Sequence, residues 1–194
     1  MDFISKYLNS LNEINNNLDK ENLDLFIKEL IKIKKKHGRL FILGVGGSAG
    51  NSSHAVNDFR KLCNINAISP TDNVSEITAR TNDEGFKTIF SEYLKISNLN
   101  QNDAILVFSV GGGNLQKKVS LNIIEAIKFA KKKKSKILSI VGKNDGYAAK
   151  SSDCCIIINP KVKKFLTPIS ESYQSVLWHL FVSHPKLQSN KTKW

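Results

Sequence analysis

The sequence has 194 residues, of which 41% are hydrophobic, so it can fill the core of one ordinary domain with or without a short helical lead-in. This composition excludes disorder of the whole chain, and no apolar run reaches the roughly 18 to 20 residues that a membrane-spanning helix needs. The first ten residues lack the basic and apolar segments of a secretory signal, so we expect a cytoplasmic location and no membrane partner. Three cysteines, two of them adjacent, form neither a disulfide framework nor a zinc-knuckle pattern.

Lysine and arginine number 29 against 17 aspartate and glutamate, which gives a net charge of +12. Such an excess favours either phosphate contacts with a nucleic acid or a pocket for a small phosphorylated ligand. The basic runs at 131–134 and 161–164 fall at element ends or in loops, and no aromatic residues alternate with them. We therefore expect a small phosphorylated ligand and no nucleic-acid partner.

The first 36 residues predict a helical lead-in. Apolar residues recur at helical spacing over 3–14 and again over 23–33, and the polar run Asn15–Asn17 separates the two patterns. Each predicted helix has an apolar stripe that must pack on the main body or on another subunit. The main domain is expected at 37–184, and the polar residues 185–194 are expected to form a flexible tail.

From residue 37 onward, short apolar runs alternate with helical patterns. The alternation predicts an α/β fold with three layers, αβα, in which a central five-stranded parallel sheet follows the two leading helices. Continuous strand-like runs lie at 40–43, 104–108, 137–141 and 155–158, with a weaker one at 67–68. Helical patterns lie at 49–62, 74–80, 86–96, 119–133 and 168–181.

Two glycine-rich turns, Gly44–Ser48 and Ser109–Asn114, follow predicted strands. A tight strand-to-helix turn uses glycine in any case, but two such turns at neighbouring strand ends, each with a serine, favour phosphate or sugar-phosphate binding. Ala49 stands where the dinucleotide fingerprint has its third glycine, and the Walker phosphate-binding pattern is absent. A nicotinamide or nucleotide enzyme is therefore disfavoured.

Two pairs of potential metal ligands lie on predicted helices. His54 and Asp58 are four residues apart, so they share a helix face, and this pairing suits a metal half-site, an acid–base pair or a plain surface ion pair. Glu171 and His179 lie along one stripe of the last helix, with Gln174 near it as a reserve ligand. The adjacent Trp178 is interpreted as a packing residue.

Together these motifs resemble one known family. Its marks are the turns Gly44–Ser48 and Ser109–Asn114, the pair His54-x-x-x-Asp58, the segment Thr78–Phe86, and Glu171 with His179. They resemble those of the phosphoheptose isomerases (sedoheptulose-7-phosphate isomerases) of the sugar isomerase (SIS) superfamily, with Asn82-Asp83-x-Gly-Phe as the most specific part. The resemblance covers nearly the whole chain and implies a flavodoxin-like SIS domain.

The resemblance also implies an activity, ligands and an assembly. It implies an aldose–ketose isomerase that converts sedoheptulose 7-phosphate into a D-glycero-D-manno-heptose 7-phosphate for heptose of lipopolysaccharide, capsule or another surface glycan. Family members are cytoplasmic homotetramers with sites between subunits, and one zinc ion per subunit is implied on His54, Asp58, Glu171 and His179. The residues implied to hold the phosphosugar are Gly46, Gly47, Ser48, Asn82, Asp83, Ser109, Val110, Gly111, Asn114 and Glu171.

Several positions depart from the family pattern, so the chain resembles a divergent branch. The family has glutamate at Asp58, glutamine at Glu171 and asparagine at Val45, and two hydroxyl residues of its phosphate loop are Val110 and Gly111 here. Backbone N–H groups can still bind phosphate. Two carboxylates in the ligand set cancel the charge of a divalent ion and favour a weaker Lewis acid or a metal other than zinc.

In this interpretation, Asp58 is the base that moves a proton between the first two carbons of the sugar, and His179 is the acid that serves its oxygens. Two alternatives stay open at this point: a non-catalytic SIS module that binds a sugar phosphate or a protein, and an isomerase of another phosphosugar.

Overall fold

A computed structural model describes residues 2–192 of the chain. Within these residues a five-stranded sheet has the order β2-β1-β3-β4-β5, and every neighbouring pair is parallel. The strands are β1 Arg39–Leu43, β2 Asn66–Ile68, β3 Ala104–Ser109, β4 Lys136–Val141 and β5 Cys154–Ile157. The α-helices are α1 Phe3–Asn17, α2 Lys20–Lys35, α3 Gly47–Cys63, α4 Val74–Asp83, α5 Ile89–Ile96, α6 Leu121–Lys132, α7 Tyr147–Ser151 and α8 Leu166–Val182.

The sheet is buried on both faces, which gives the three layers. Alternate residues of a strand point to opposite faces, so Leu40 and Ile42 of β1 join one core and Phe41 and Leu43 join the other. The first core is completed by α2, α3 and α8, and the second by α5, α6 and α7. The predicted αβα fold with a parallel five-stranded sheet is confirmed, and the weak run at 67–68 is the short edge strand β2.

β1 and β3 lie side by side at the centre of the sheet, and the chain leaves them in opposite directions. After β1 it passes through α3 to β2, and after β3 it passes through α6 to β4. In open parallel sheets, ligands bind beyond the carboxyl ends of the strands where the order reverses in this way. Both glycine turns lie at this point.

Several element boundaries differ from the sequence prediction. α1 continues through Asn17, and the break comes at Asp19, whose side chain accepts a hydrogen bond from Asn22 N and begins α2. α6 begins at Leu121 rather than at 119, because Val119 exchanges two backbone hydrogen bonds with Asn114. α5 begins at Ile89 rather than at 86.

The residues after α8 pack against the body of the protein. Leu187 is fully buried, and the backbone N–H groups of Ser189 and Asn190 donate to Leu62 O. Lys34 Nζ donates to Leu187 O. These contacts do not fit the expected flexible tail over 185–192, because the buried side chain of Leu187 holds this polar stretch against the body. Residues 193–194 lie outside the described part. The division at residue 36 stays a prediction.

Two further observations bear on the expectations. No helix within 2–192 is both long and apolar enough to cross a bilayer. Burial raises the pKa of the Cys63 and Cys154 thiols to about 11 and that of Cys155 to about 12, which keeps all three protonated near neutral pH.

Candidate metal centre and sugar-phosphate site

α3 carries the first half of the candidate site. It begins at Gly47, directly after β1 and the first glycine turn, so it starts at the carboxyl edge of the sheet. His54 and Asp58 lie one helical turn apart, and His54 Nε2 is 3.6 Å from Asp58 Oδ2. The imidazole side chain is 57% exposed, whereas the carboxylate side chain is only 10% exposed. The carboxylate therefore lies beneath an imidazole that solvent can reach.

α8 contributes a second imidazole. It packs on α3, and His179 Nε2 lies 3.4 Å from the same oxygen of Asp58. One ligand atom each of His54, Asp58 and His179 lies within 4.8 Å of the other two. Two imidazole nitrogens and a carboxylate oxygen are ligands that divalent transition metals accept. The structure thus shows a His–Asp–His cluster that can hold a metal ion.

The tautomer of His179 supports this interpretation. Its Nδ1 is 2.8 Å from the backbone oxygen of Ser175. A carbonyl oxygen only accepts, so Nδ1 carries the proton, and the lone pair of the neutral ring is on Nε2, beside Asp58. Metal-binding histidines are commonly oriented by such a bond from the other ring nitrogen.

Asp58 is itself held by a residue that the sequence did not single out for function. Trp178 is buried and donates from Nε1 to Asp58 Oδ2 over 3.0 Å. Asn57 Nδ2 donates to the other carboxylate oxygen over 3.0 Å. Trp178 is buried as its predicted packing role requires, but it also holds Asp58. The sequence signal for this second role is that a buried indole N–H needs an acceptor.

Glu171 lies outside this cluster of three. Its carboxylate is against the first residue of α3: a Cβ atom on Gly47 would be 2.6 Å from Glu171 Oε2. A larger residue there would displace the end of this side chain, and the carboxylate faces the positive end of the helix dipole. The structure brings together three of the four predicted ligands, and the metal-binding role of Glu171 stays a prediction.

Ser48 and Gln174 form a buried link between the two helices. Gln174 Nε2 donates to Ser48 Oγ over 3.0 Å, and its Oε1 accepts from Asn51 Nδ2 over 2.8 Å. Both side-chain groups of the reserve ligand Gln174 are thereby engaged. The Ser48 hydroxyl, predicted to contact substrate, supports the link between α3 and α8.

The second glycine turn uses its polar side chains to hold its own backbone. Ser109 Oγ accepts from Gly112 N over 3.0 Å, and Asn114 Oδ1 accepts from Lys117 N over 2.8 Å. Val110 and Gly111 are half-buried between them. The turn therefore offers backbone rather than hydroxyl groups to a ligand.

Asn82 and Asp83 end α4 on the surface. Asn82 Nδ2 donates to Asp83 Oδ1 over 2.8 Å, and both residues are exposed. Among residues 2–192 no hydrogen bond or ion pair joins them to the His–Asp–His cluster, so their role in substrate binding stays a prediction.

A cavity of about 300 Å³ lies between the first glycine turn and the start of α6. Val45 of the first glycine turn borders it, and Gly47, two residues further along, contacts Glu171. The cavity therefore adjoins the turn that begins the metal-ligand helix. Its wall consists of Val45, Phe86, Lys87, Lys118, Ser120, Leu121 and Asn122, of which the sequence analysis named only Val45 and Phe86.

Comparison with known proteins identifies the family. A sequence model of the SIS domain matches residues 2–142. The chain belongs to the SIS domain family. That match includes His54 and Asp58 and ends before α8, so the second half of the metal cluster lies beyond it.

Individual relatives of this SIS protein are phosphoheptose isomerases. A probable phosphoheptose isomerase of Thermoplasma volcanium is 24% identical over 168 residues, which cover 84% of this chain and 82% of that protein. The phosphoheptose isomerase of Buchnera aphidicola subsp. Schizaphis graminum is 31% identical over 142 residues, which cover 71% and 70% of the two chains. The resemblance found in the motifs is thus confirmed.

The fold of the SIS protein is also that of a solved relative. The structure of a phosphoheptose isomerase from Francisella tularensis aligns with a TM-score of 0.78 at 19% identity, covering 93% of this chain and 92% of that one. At this identity the likeness establishes the shared fold.

Proposed function

We propose that this SIS protein is an aldose–ketose isomerase that converts sedoheptulose 7-phosphate into a D-glycero-D-manno-heptose 7-phosphate for the heptose of a surface glycan. The observation that carries the proposal is the His54–Asp58–His179 cluster. Its first two members lie on α3, which starts beside the cavity, and the third lies on α8. The names of the relatives, phosphoheptose isomerases, support the choice of substrate. The site of action is the cytoplasm.

His54, Asp58 and His179 are the proposed metal ligands, with Glu171 as a fourth. A divalent cation, zinc in this proposal, supplies Lewis-acid polarisation of a carbonyl oxygen when it is bound. The donor set fits such an ion because it combines two nitrogens, one of them with its lone pair directed by Ser175, and one carboxylate oxygen.

Two residues of the cluster move the protons. Asp58 Oδ2 has three neighbours, Trp178 and the two imidazoles, whereas Oδ1 has one donor, Asn57 Nδ2. We therefore assign to Oδ1 the proton that leaves C1 of the ketose and returns to C2. His179 Nε2 cannot take a proton while its lone pair is on the cation, so in this step it is released from the cation. It then takes the proton from the C1 hydroxyl and gives it to the C2 oxygen. Together these transfers change the hydroxymethyl ketone into an aldehyde with a new hydroxyl at C2, with no net gain or loss of protons.

The remaining predicted residues bind and position the substrate. Gly46 and Gly47 with Glu171 border the reacting end, and the backbone of Val110 and Gly111 and the side chains of Asn82 and Asp83 contact the phosphosugar. Ser48, Ser109 and Asn114 act through the backbone and helices that they hold.

The test follows proton transfer directly. Purified protein is incubated with sedoheptulose 7-phosphate in D₂O, and a panel of other ketose and aldose phosphates is run alongside. Mass spectrometry and NMR then report turnover and deuterium at C2. We expect Asp58→Asn and His179→Gln each to lower turnover by about a hundredfold or more with the fold intact, since general acid–base groups contribute this much.

Glu171→Gln, which introduces the residue found in the family, is the matched control and should retain turnover. Wild-type turnover in Asp58→Asn or His179→Gln would refute the assigned roles. Turnover of a different phosphosugar alone would refute the substrate, and binding without any turnover would favour a non-catalytic module.

We also propose that the chain forms a homotetramer. The support is apolar side chains that α1 and α8 leave in solvent: Phe3, Ile4 and Leu8 on α1 and Val176 and Leu180 on α8 are each at least 40% exposed. Single apolar residues are ordinary on a surface, but neighbours on one helix face indicate an interface. Native mass spectrometry should give four chains per particle, and a monomer at micromolar concentration would contradict the proposal.

A further inference from the structure

The cavity beside the first glycine turn contains a hydrogen-bond donor that the protein does not use. Asn122 is 2% exposed and forms part of the cavity wall. Within residues 2–192, its Nδ2 is the buried side-chain nitrogen or oxygen atom that lacks a hydrogen-bond partner. Buried polar groups in native proteins nearly always have partners, so one that lacks a partner at a cavity calls for a ligand.

The other half of the same side chain is engaged. Asn122 Oδ1 accepts from Ile123 N over 2.9 Å at the start of α6. This bond leaves only the NH₂ group for an outside partner, and an NH₂ group needs an acceptor. The terminal torsion of asparagine is broad, so the amide can turn to meet a ligand oxygen.

The surroundings of Asn122 favour an anion. Lys87 and Lys118 are both in the wall, and none of the seven wall residues is acidic. The wall also includes the first turn of α6, a 12-residue helix whose N-cap, Ser120, makes no side-chain capping bond. The unsatisfied N–H groups of a helix start attract negative charge.

The geometry points to a phosphate contact at Asn122: we propose that its Nδ2 donates to a phosphate oxygen of the bound sugar phosphate, with Lys87 and Lys118 balancing the charge. This inference rests on the proposed function for the identity of the ligand, and it deepens that function by assigning a phosphate-binding residue. The predicted Asn114 differs, since it lines a neighbouring cavity that also contains Asp145.

Two variants separate the donor from the fold. Asn122→Asp keeps the acceptor for Ile123 N and places a carboxylate at a helix start, where it is tolerated, but it removes the donor and repels phosphate. Asn122→Ala removes the donor without adding charge. Asn12→Asp, on the exposed side of α1, adds the same charge elsewhere and is the matched control.

The probe is inorganic phosphate, titrated by calorimetry into the wild type and each variant, followed by KM for sedoheptulose 7-phosphate. We expect phosphate affinity to fall about tenfold in Asn122→Ala and further in Asn122→Asp, because a hydrogen bond to a charged oxygen is lost and then replaced by repulsion. Asn12→Asp should bind phosphate as the wild type does.

Unchanged phosphate affinity in both Asn122 variants would overturn the inference, and so would a wild type that does not bind phosphate. A loss confined to the phosphosugar would also overturn it, since Nδ2 would then serve a sugar oxygen. If phosphate binding depends on Asn122 while the wild type turns over no phosphosugar, the inference stands and the proposed isomerase function fails.

Discussion

Asp58 Oδ2 has three neighbours: the indole N–H of Trp178 and the Nε2 atoms of His54 and His179. The indole bond fixes the carboxylate, while the two imidazoles stay exposed to solvent. Asp58 is shorter than the glutamate found at this position in the family that the chain resembles, and Trp178 donates a hydrogen bond to it. We infer that Trp178 sets the position of the carboxylate relative to the imidazoles.

Replacing Trp178 by phenylalanine should weaken metal binding. Trp178→Phe keeps an aromatic side chain in the core but removes the N–H donor, and loss of a bond that orients a ligand typically costs ten- to a hundredfold in metal affinity. The measurement is competition for Zn²⁺ with a chromogenic chelator.

The matched control for this experiment is Phe181→Leu on the same helix. Phe181 stacks on Phe26 and has no side-chain atom that can bind a metal or form a hydrogen bond, so its replacement should lower thermal stability and leave Zn²⁺ affinity unchanged. If both variants bind Zn²⁺ equally well, Trp178 is only a packing residue.

At the scale of elements, the turn between β1 and α3 shows how tightly the site is built. A Cβ atom on Gly44 would lie 2.2 Å from the backbone oxygen of Ser48, whereas one on Gly47 would meet the carboxylate of Glu171 at 2.6 Å. Backbone cannot move aside without breaking the turn, but the end of a glutamate side chain can. The two glycines therefore have different purposes, one for the fold and one for the site.

Alanine substitutions should separate these purposes. We expect Gly44→Ala to lower the free energy of unfolding by about 1–3 kcal/mol through overpacking, and Gly47→Ala by less than about 1 kcal/mol. Gly50→Ala, in the open interior of α3, is the control and should raise stability by about 0.5–1 kcal/mol. Urea denaturation measures all three, and a Gly44→Ala variant as stable as Gly50→Ala would contradict the argument.

The same elements show what the sequence could predict. The strands and both glycine turns were predictable because their signals are local: apolar runs of strand length, followed by glycine and serine. The start of α6 was not, because Val119 continues the apolar periodicity while its backbone pairs with Asn114. The His–Asp–His cluster was predictable through residue types and family resemblance. The bond from Trp178 to Asp58 was not, because 120 residues separate them in the chain.

At the scale of the whole molecule, the segment after α8 closes the first core. Leu187 is fully buried with residues of α2, α3 and α8, and the chain beyond it bonds to the end of α3. The polar composition of 185–192 gives no hint of this, because a single leucine provides the anchor. Both helices of the candidate metal centre are thereby supported by the last described residues.

Shortening this anchor should destabilise the protein. Leu187→Ala removes a buried side chain and should lower the free energy of unfolding by about 2–5 kcal/mol. Leu25→Ala, at a position 43% exposed on α2, should change it by about 1 kcal/mol or less. Thermal and urea unfolding of the two variants check the difference, and equal effects would show that the segment contributes nothing to the core.

The His–Asp–His cluster combines residues of α3 and α8, which are synthesised at different times. During translation, His54 and Asp58 are added to the chain long before His179, which follows only after β3, β4 and β5. A half-synthesised polypeptide thus has an incomplete chelating set, and its affinity for a cation should be correspondingly low. The three ligands are together only once α8 has been synthesised, so a product that terminates before α8 would lack the cluster.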